Sequence, residues 1–258
     1  MIQLLVMAKA PVPGRVKTRL CPPCTPAEAA AIAEASLADT LETAVQVPVV
    51  RRVAVLEGDY PAPPGWRRVA QRGAGLGERL AYAFADTALP GVPSLLIGMD
   101  TPQVTAALLA GAAEALSRSR AVLGPALDGG WWALGLENPD DAGVLPDVPM
   151  STSDTGALTL AALRTRGAEP FLLPPLRDVD TAADALEVAT ACPATARFPS
   201  AVSRFIPRPA PTTHGERTAA PVAAGGAGGG VRGADGGAGG RTPVAGGRGG
   251  ASGVGRPA

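Results

Sequence analysis

Two lysines serve the whole chain, Lys9 and Lys17, and both fall in one loop beside Gly14, Arg15 and Arg19. Elsewhere positive charge is carried by arginine. Four cations around a glycine, just past the apolar run Ile2–Ala8 and ahead of a helix, suit an anion such as phosphate. A strand, a glycine-containing loop and a helix start together aim backbone N–H groups at such a ligand.

Carboxylates supply the second chemistry. Asp100 follows the short apolar run Ser94–Gly98, and Pro102 fixes the chain as it leaves. A carboxylate held there suits Mg²⁺ or Mn²⁺, which take oxygen ligands and bridge to substrate phosphates. Asp180, in the segment Asp178-Val179-Asp180-Thr181, is a candidate second ligand. Helix capping by Thr181 and Asp184 explains part of that segment equally well.

A third group suits an acceptor. Gly129 and Gly130 allow close approach of backbone to ligand, and Trp131 and Trp132 follow at once in a chain with three tryptophans. In a strand their side chains alternate, so one indole can enter the core while the other faces a crevice. Asp128 could orient a hydroxyl there. Ser151 and Thr152 offer further hydroxyls ahead of a helix. Gln71, with Gly73, Gly75 and Gly77, could read a base edge, and Arg72 could add charge.

Absences narrow the choice. The single histidine is His214, so a Ser-His-Asp hydrolase has no base in residues 1–205. No P-loop and no dinucleotide fingerprint follow the first strand. Cys21, Cys24 and Cys192 build no disulfide framework, and Cys21-Pro22-Pro23-Cys24 lacks the partners of a zinc site. Residues 206–258 hold 17 of the 33 glycines and no Phe, Tyr or Trp, so they read as a disordered tail behind a domain spanning 1–205. Net charge is zero, but the tail is basic and the domain acidic, which does not suit nucleic acid as a partner. No apolar stretch is long enough to span a membrane and no signal peptide is visible, so a cytoplasmic location is expected. Oligomeric state leaves no mark in the sequence.

The elements that must hold these groups alternate. Strands are expected at Ile2–Ala8, Val49–Leu56, Arg67–Ala70, Ser94–Gly98, Ala121–Gly124, Trp131–Leu136 and Pro170–Leu173. Helices are expected at Pro26–Val45, Gly77–Ala88, Thr105–Ser117, Asp154–Arg166 and Ala182–Ala191. Thr25 and Glu28 form a capping box for the first helix. Continuous apolar strands alternating with helices predict an α/β fold, a mostly parallel sheet covered on both faces. Ligands of such sheets sit at the carboxyl ends of the strands. The unusual loops at 9–19, 71–75, 100–102, 125–130 and 178–181 all follow strands, so they are expected to share one edge.

These motifs, in this order, resemble a known family. The runs Lys9–Leu20, Gly75–Leu80, Gly98–Pro102, Gly124–Gly130, Ser151-Thr152 and Asp178–Thr181 are similar to the DUF2064 group, over about residues 1–190. That group is glycosyltransferase-like, of the nucleotide-diphospho-sugar transferase superfamily with its GT-A fold, and includes arsenosugar biosynthesis glycosyltransferases. The resemblance implies that Lys9, Arg15, Lys17 and Arg19 face nucleotide phosphates and that Asp100 is the metal ligand. The group usually has tyrosines where Trp131 and Trp132 stand, and tryptophan where Met150 stands. Both departures fall on the acceptor side.

The expected activity is a Mg²⁺- or Mn²⁺-dependent transfer from a nucleotide-activated donor. Catalytic roles fall to Asp100, Lys17 and Asp128. Glycosyl transfer from a nucleotide sugar to a small-molecule acceptor leads. Nucleotidyl transfer to a phosphorylated acceptor stays open, as does a nucleotide-binding module without turnover.

Overall fold

Along the first strand, β1 (Gln3–Lys9), successive side chains enter opposite layers of core. Leu4, Val6 and Ala8 join one apolar cluster, while Leu5 and Met7 join another. A strand apolar from Leu4 to Ala8 has no solvent face there, and this one is buried on both sides. The computed structural model describes residues 1–207, so the tail expected at 206–258 lies, from residue 208 on, outside the described residues.

Six further strands complete the sheet: β2 (Arg51–Glu57), β3 (Arg67–Ala70), β4 (Ser94–Gly98), β5 (Ala121–Pro125), β6 (Trp131–Leu136) and β7 (Pro170–Leu172). Their order is β3-β2-β1-β4-β6-β5-β7, and every neighbouring pair is parallel except those made by β6, which runs antiparallel to β4 and β5. The mostly parallel α/β sheet read from the sequence is thus present.

The helices α1 (Pro26–Val45) and α3 (Ala106–Leu116) cover one face, against Leu95, Ile97 and Trp132. The opposite face packs Leu96, Leu134 and Leu136 against α2 (Leu76–Thr87) and α4 (Thr155–Thr165). Thr25 and Glu28 close the capping box of α1, and Thr181 with Asp184 does the same for α5 (Ala182–Ala191).

Among the described residues one α-helix has no counterpart in the sequence reading. α6 (Arg197–Phe205) packs on α1 and α5 through Phe198 and Val202. Its first N–H groups are served from α1: Asp39 accepts from the backbone of Arg197 at 3.1 Å and of Phe198 at 2.7 Å. Ile206 is buried in the same cluster, so the packed body reaches one residue past 205. Among the described residues no helix is long and apolar enough to cross a membrane.

Candidate functional site

The sheet topology makes the crevice. From β1 the chain turns through α1 to β2 on one side, while β4 pairs on the other side of β1. The connections from β1 and β4 run in opposite directions along the sheet, and this reversal of strand order is the switch point where open α/β sheets take ligands. Because β6 is antiparallel, its first residue, Trp131, also lies at this edge, joined to β5 by the turn 126–130.

The loops after β1 and β4 meet through side chains. The Lys17 ammonium stands 2.5 Å from Asp100 Oδ1 and also donates to the Val179 carbonyl. Lys17 itself is left-handed, with φ 47°. A non-glycine residue there stores backbone strain of about 1–3 kcal/mol, which its fixed ammonium contacts offset. The Val179 N–H donates to the Asp100 carbonyl at 2.9 Å, strapping residues 178–180 to the exit of β4. Arg19 reaches Asp180 at 2.5 Å. Ser36 of α1 donates to the Met99 carbonyl at 2.6 Å and fixes the same exit from below.

These pairs divide two depressions. The larger, about 520 Å³, takes in Asp100, Asp128, Trp131, Ser151, Thr152 and Asp178. The smaller, about 250 Å³, takes in Lys9 and Arg15. Lys17, Arg19, Asp100 and Asp180 border both. Lys9 pairs with Glu57 at 3.3 Å, and Arg79 reaches the other oxygen of Glu57 at 2.5 Å. Burial alone would raise the Glu57 pKa; Lys9 and Arg79 together bring it below the usual glutamate value.

Asp178 is the residue that sequence reasoning passed over. Its Oδ1 is buried with no hydrogen-bond partner. Burial first, then the negative charge of Asp100 and Asp128, pushes its pKa up to about 7, with Lys17 opposing and Asp180 adding to the rise. The signal in the sequence was two aspartates separated by a buried valine. Which of the two turns inward depends on the strap to Asp100.

The groups expected on the acceptor side also converge. Asp128 Oδ1 accepts from the Gly130 N–H at 2.9 Å, closing a tight turn in which Gly129 has φ 91°. The Gly129 carbonyl accepts from the Gly156 N–H at 2.8 Å, so this turn rests on the start of α4. Ser151 is the second left-handed non-glycine residue, φ 60°. Thr152 is engaged in the turn itself: its N–H donates to Thr155 Oγ1 at 3.0 Å, and its hydroxyl accepts from Asp154 N–H at 3.3 Å. The tryptophans divide as strand alternation requires. Trp132 is buried with its indole N–H on the Pro174 carbonyl at 3.0 Å, and Trp131 borders the cavity. Trp132 was grouped with the acceptor residues; its ring belongs to the core, apart from an edge on the cavity.

The 71–75 loop stands apart. Gln71 spends its amide N–H groups on the carbonyls of Ala8, at 2.8 Å, and Val55, at 3.1 Å. That locks the ends of β1 and β2 and leaves no side-chain donor for a base. Gly75 is the N-cap of α2, and Gly14 makes the exposed turn before Arg15, with φ 76°. Neither borders the larger cavity; α2 enters it through Leu76 and Leu80.

Asp100, Asp128, Asp178 and Asp180 present only oxygen, the donor set of a hard dication. The orphaned Oδ1 of Asp178 fits such an ion. Among the described residues no three acidic, cysteine or histidine side chains stand together as a finished cage. Mg²⁺ commonly leaves positions to substrate oxygens and water, so an incomplete protein set suits it.

The chain has the fold of the nucleotide-diphospho-sugar transferases. A crystal structure described as a candidate nucleotide-diphospho-sugar transferase from Desulfovibrio desulfuricans G20 superposes with TM-score 0.67 at 24% identity, covering 80% of this chain and 99% of that one. A CMP:2-keto-3-deoxy-manno-octonic acid synthetase complexed with CTP gives TM-score 0.48 at 11% identity, over 73% of this chain and 97% of the other. A homologue of Mycobacterium tuberculosis rv0371c from Mycobacterium sp. strain JC1 gives 0.46 at 17%, over 73% and 96%. The family described as "Uncharacterized protein conserved in bacteria (DUF2064)" matches residues 31–152, so the resemblance is borne out over the runs Gly75–Leu80, Gly98–Pro102, Gly124–Gly130 and Ser151-Thr152, while Lys9–Leu20 and Asp178–Thr181 lie outside the match. Among curated proteins none matches.

Proposed function

We propose that this chain is a divalent-metal-dependent transferase that moves a glycosyl group from a nucleotide sugar to a small-molecule acceptor, within residues 1–205. The observation that supports the reading is the meeting of Lys17 with Asp100 at the sheet's switch point, beside Asp178 and Asp180. Lys9 and Arg15 on the far side of that pair suit the donor's phosphates.

In this reading the acceptor oxygen attacks the anomeric carbon, and the bond to the diphosphate breaks with its electron pair. Asp128 takes the acceptor proton, its carboxylate held by the Gly130 N–H. Lys17 and Arg19 answer the charge that develops on the diphosphate, a form of electrostatic stabilisation worth about 3 kcal/mol per well-placed donor. Asp100 and Asp180, with Asp178, would hold Mg²⁺ or Mn²⁺, which when bound supplies further neutralisation of that leaving group.

One observation favours nucleotidyl transfer as a second reading. A single aspartate follows β4, with Lys17 already on it, an arrangement that equally suits attack at a nucleotide α-phosphate with pyrophosphate leaving. Thermal shifts against nucleoside triphosphates and nucleotide sugars, with and without Mn²⁺, separate the two. Metal-dependent stabilisation by one nucleotide sugar and its diphosphate supports glycosyl transfer; stabilisation by a triphosphate alone supports the second reading. Asp100→Asn should abolish turnover while the fold stays intact. A fully active Asp100→Asn variant sinks the metal assignment, and a protein that binds nucleotides without turning any over is a binding module instead.

A further inference from the structure

We infer that the acceptor is an uncharged alcohol with an apolar, ring-sized body. The inference rests on the transferase reading of the same cavity and concerns only its acceptor half.

The cavity has two unlike walls. Its charged lining is Lys17, Arg19 and the aspartates; its apolar lining includes Met7, Leu76, Leu80, Leu96, Trp131 and Met150. Leu80 and Leu96 are core residues that lend an edge to the wall. Leu76 is different. It is 45% exposed, it opens α2, and it borders the cavity. An apolar side chain left half in water at a cavity wall gains free energy when a ligand covers it. The Trp131 indole is fixed by its N–H on Thr159 Oγ1 at 3.3 Å, so its ring offers a preformed apolar surface.

Charge argues in the same direction. Among the described residues, only Lys17 and Arg19 bring positive charge to this cavity, and both are engaged, with Asp100 and Asp180. Four aspartates border it. The amino end of α2, a natural seat for an anion, is already served by Glu78, which accepts from the Ala74 N–H at 2.7 Å. At the amino end of α4 stands another carboxylate, Asp154. An acceptor carrying phosphate or carboxylate would thus be brought into an acidic, partly apolar wall with no unpaired side-chain cation to meet it, the metal of the same reading being taken up by the donor's diphosphate, which costs binding. A hydroxyl has partners: the Asp128 carboxylate and the hydroxyls of Ser151 and Thr152.

The test compares two probes of one shape, naphthalen-2-ylmethanol and 6-(hydroxymethyl)-2-naphthoate, by calorimetry on the full chain with Mn²⁺. The alcohol is expected to bind at least about tenfold more tightly than the carboxylate, a difference of about 1.4 kcal/mol. Leu76→Lys, at an exposed position, should erase or invert that ratio, and Trp131→Ala should weaken the alcohol about tenfold or more. Equal or tighter binding of the carboxylate overturns the inference. So does failure of the alcohol to bind, or a Leu76→Lys variant with an unchanged ratio. The nucleotide thermal shifts are read separately. Nucleotide binding with no alcohol preference removes this inference alone; no nucleotide binding removes the transferase reading whatever the probes do.

Discussion

Lys17 and Asp100 leave different strands and meet at 2.5 Å, with Lys17 in a left-handed backbone and its side chain only 10% exposed. The ammonium also donates to the Val179 carbonyl, so one side chain ties the exits of β1 and β4 to the segment before α5. A single cation thus positions a carboxylate, and in the proposed reading it also faces the donor's phosphates.

Replacing Lys17 by methionine keeps the stem and removes the charge. Turnover in Lys17→Met should fall about 10²-fold or more, the loss typical of removing a preorganised charge from a transition state. The melting temperature should fall by only a few degrees, because the core clusters stay intact. Steady-state kinetics beside a thermal melt checks both. Near-normal turnover would leave Lys17 with a structural role only.

Asp178 makes stability depend on pH in an unusual direction. Its ordinary value is 3.8 and its folded value is about 7, so between these the folded state holds a proton that the unfolded state has released. Stability from this group is therefore fully present below about pH 4, is lost as pH rises towards 7, and stays constant above. Asp178→Asn cannot ionise. It should be more stable than the parent at pH 8, and the gain should shrink at pH 5. Paired melts at the two pH values check this; an equal shift at both would mean that burial, together with the charges of Asp100 and Asp128, does not hold the Asp178 proton in the folded state.

The contact between the 126–130 turn and α4 leaves no room at Gly156. A Cβ there would stand 2.6 Å from the Gly130 carbonyl oxygen and 3.0 Å from that of Gly129. Gly156→Ala must push the turn away or shift the helix, at a cost of about 1–3 kcal/mol. Since that turn carries Asp128, KM for the acceptor should rise more than KM for the donor. Denaturant unfolding gives the first number and two substrate titrations the second.

What the sequence made legible was whatever a local rule controls. Pro26–Val45, Ser94–Gly98, Trp131–Leu136 and Ala182–Ala191 stand where apolar periodicity and caps put them. The loops after β1, β4 and β5 gather at one edge because parallel strands leave them no alternative. What stayed hidden depends on partners far along the chain. α6 was invisible because its cap is Asp39, on α1. Gln71 offered an amide whose use by Ala8 and Val55 only strand pairing decides. Asp178 and Asp180 looked alike until the Val179 strap to Asp100 buried one of them.

The adjacent tryptophans should respond oppositely to the same change. Trp132 is 2% exposed, its N–H bonds the Pro174 carbonyl, and its ring lies where a side chain at Gly124 would be, within 2.5 Å of that Cβ position. Trp132→Phe leaves that carbonyl without its donor and opens a void beside Gly124, costing about 1–3 kcal/mol. Trp131→Phe loses a longer bond, 3.3 Å to Thr159, and exposes little core. Its melting temperature should stay within a few degrees of the parent, while KM for the acceptor rises several-fold as the ring face shrinks. Unfolding curves and acceptor titrations on both variants check the division. If Trp131→Phe loses the greater stability, the indole at the cavity wall is a core residue after all, and the acceptor surface must be sought on Met150 and Leu76 alone.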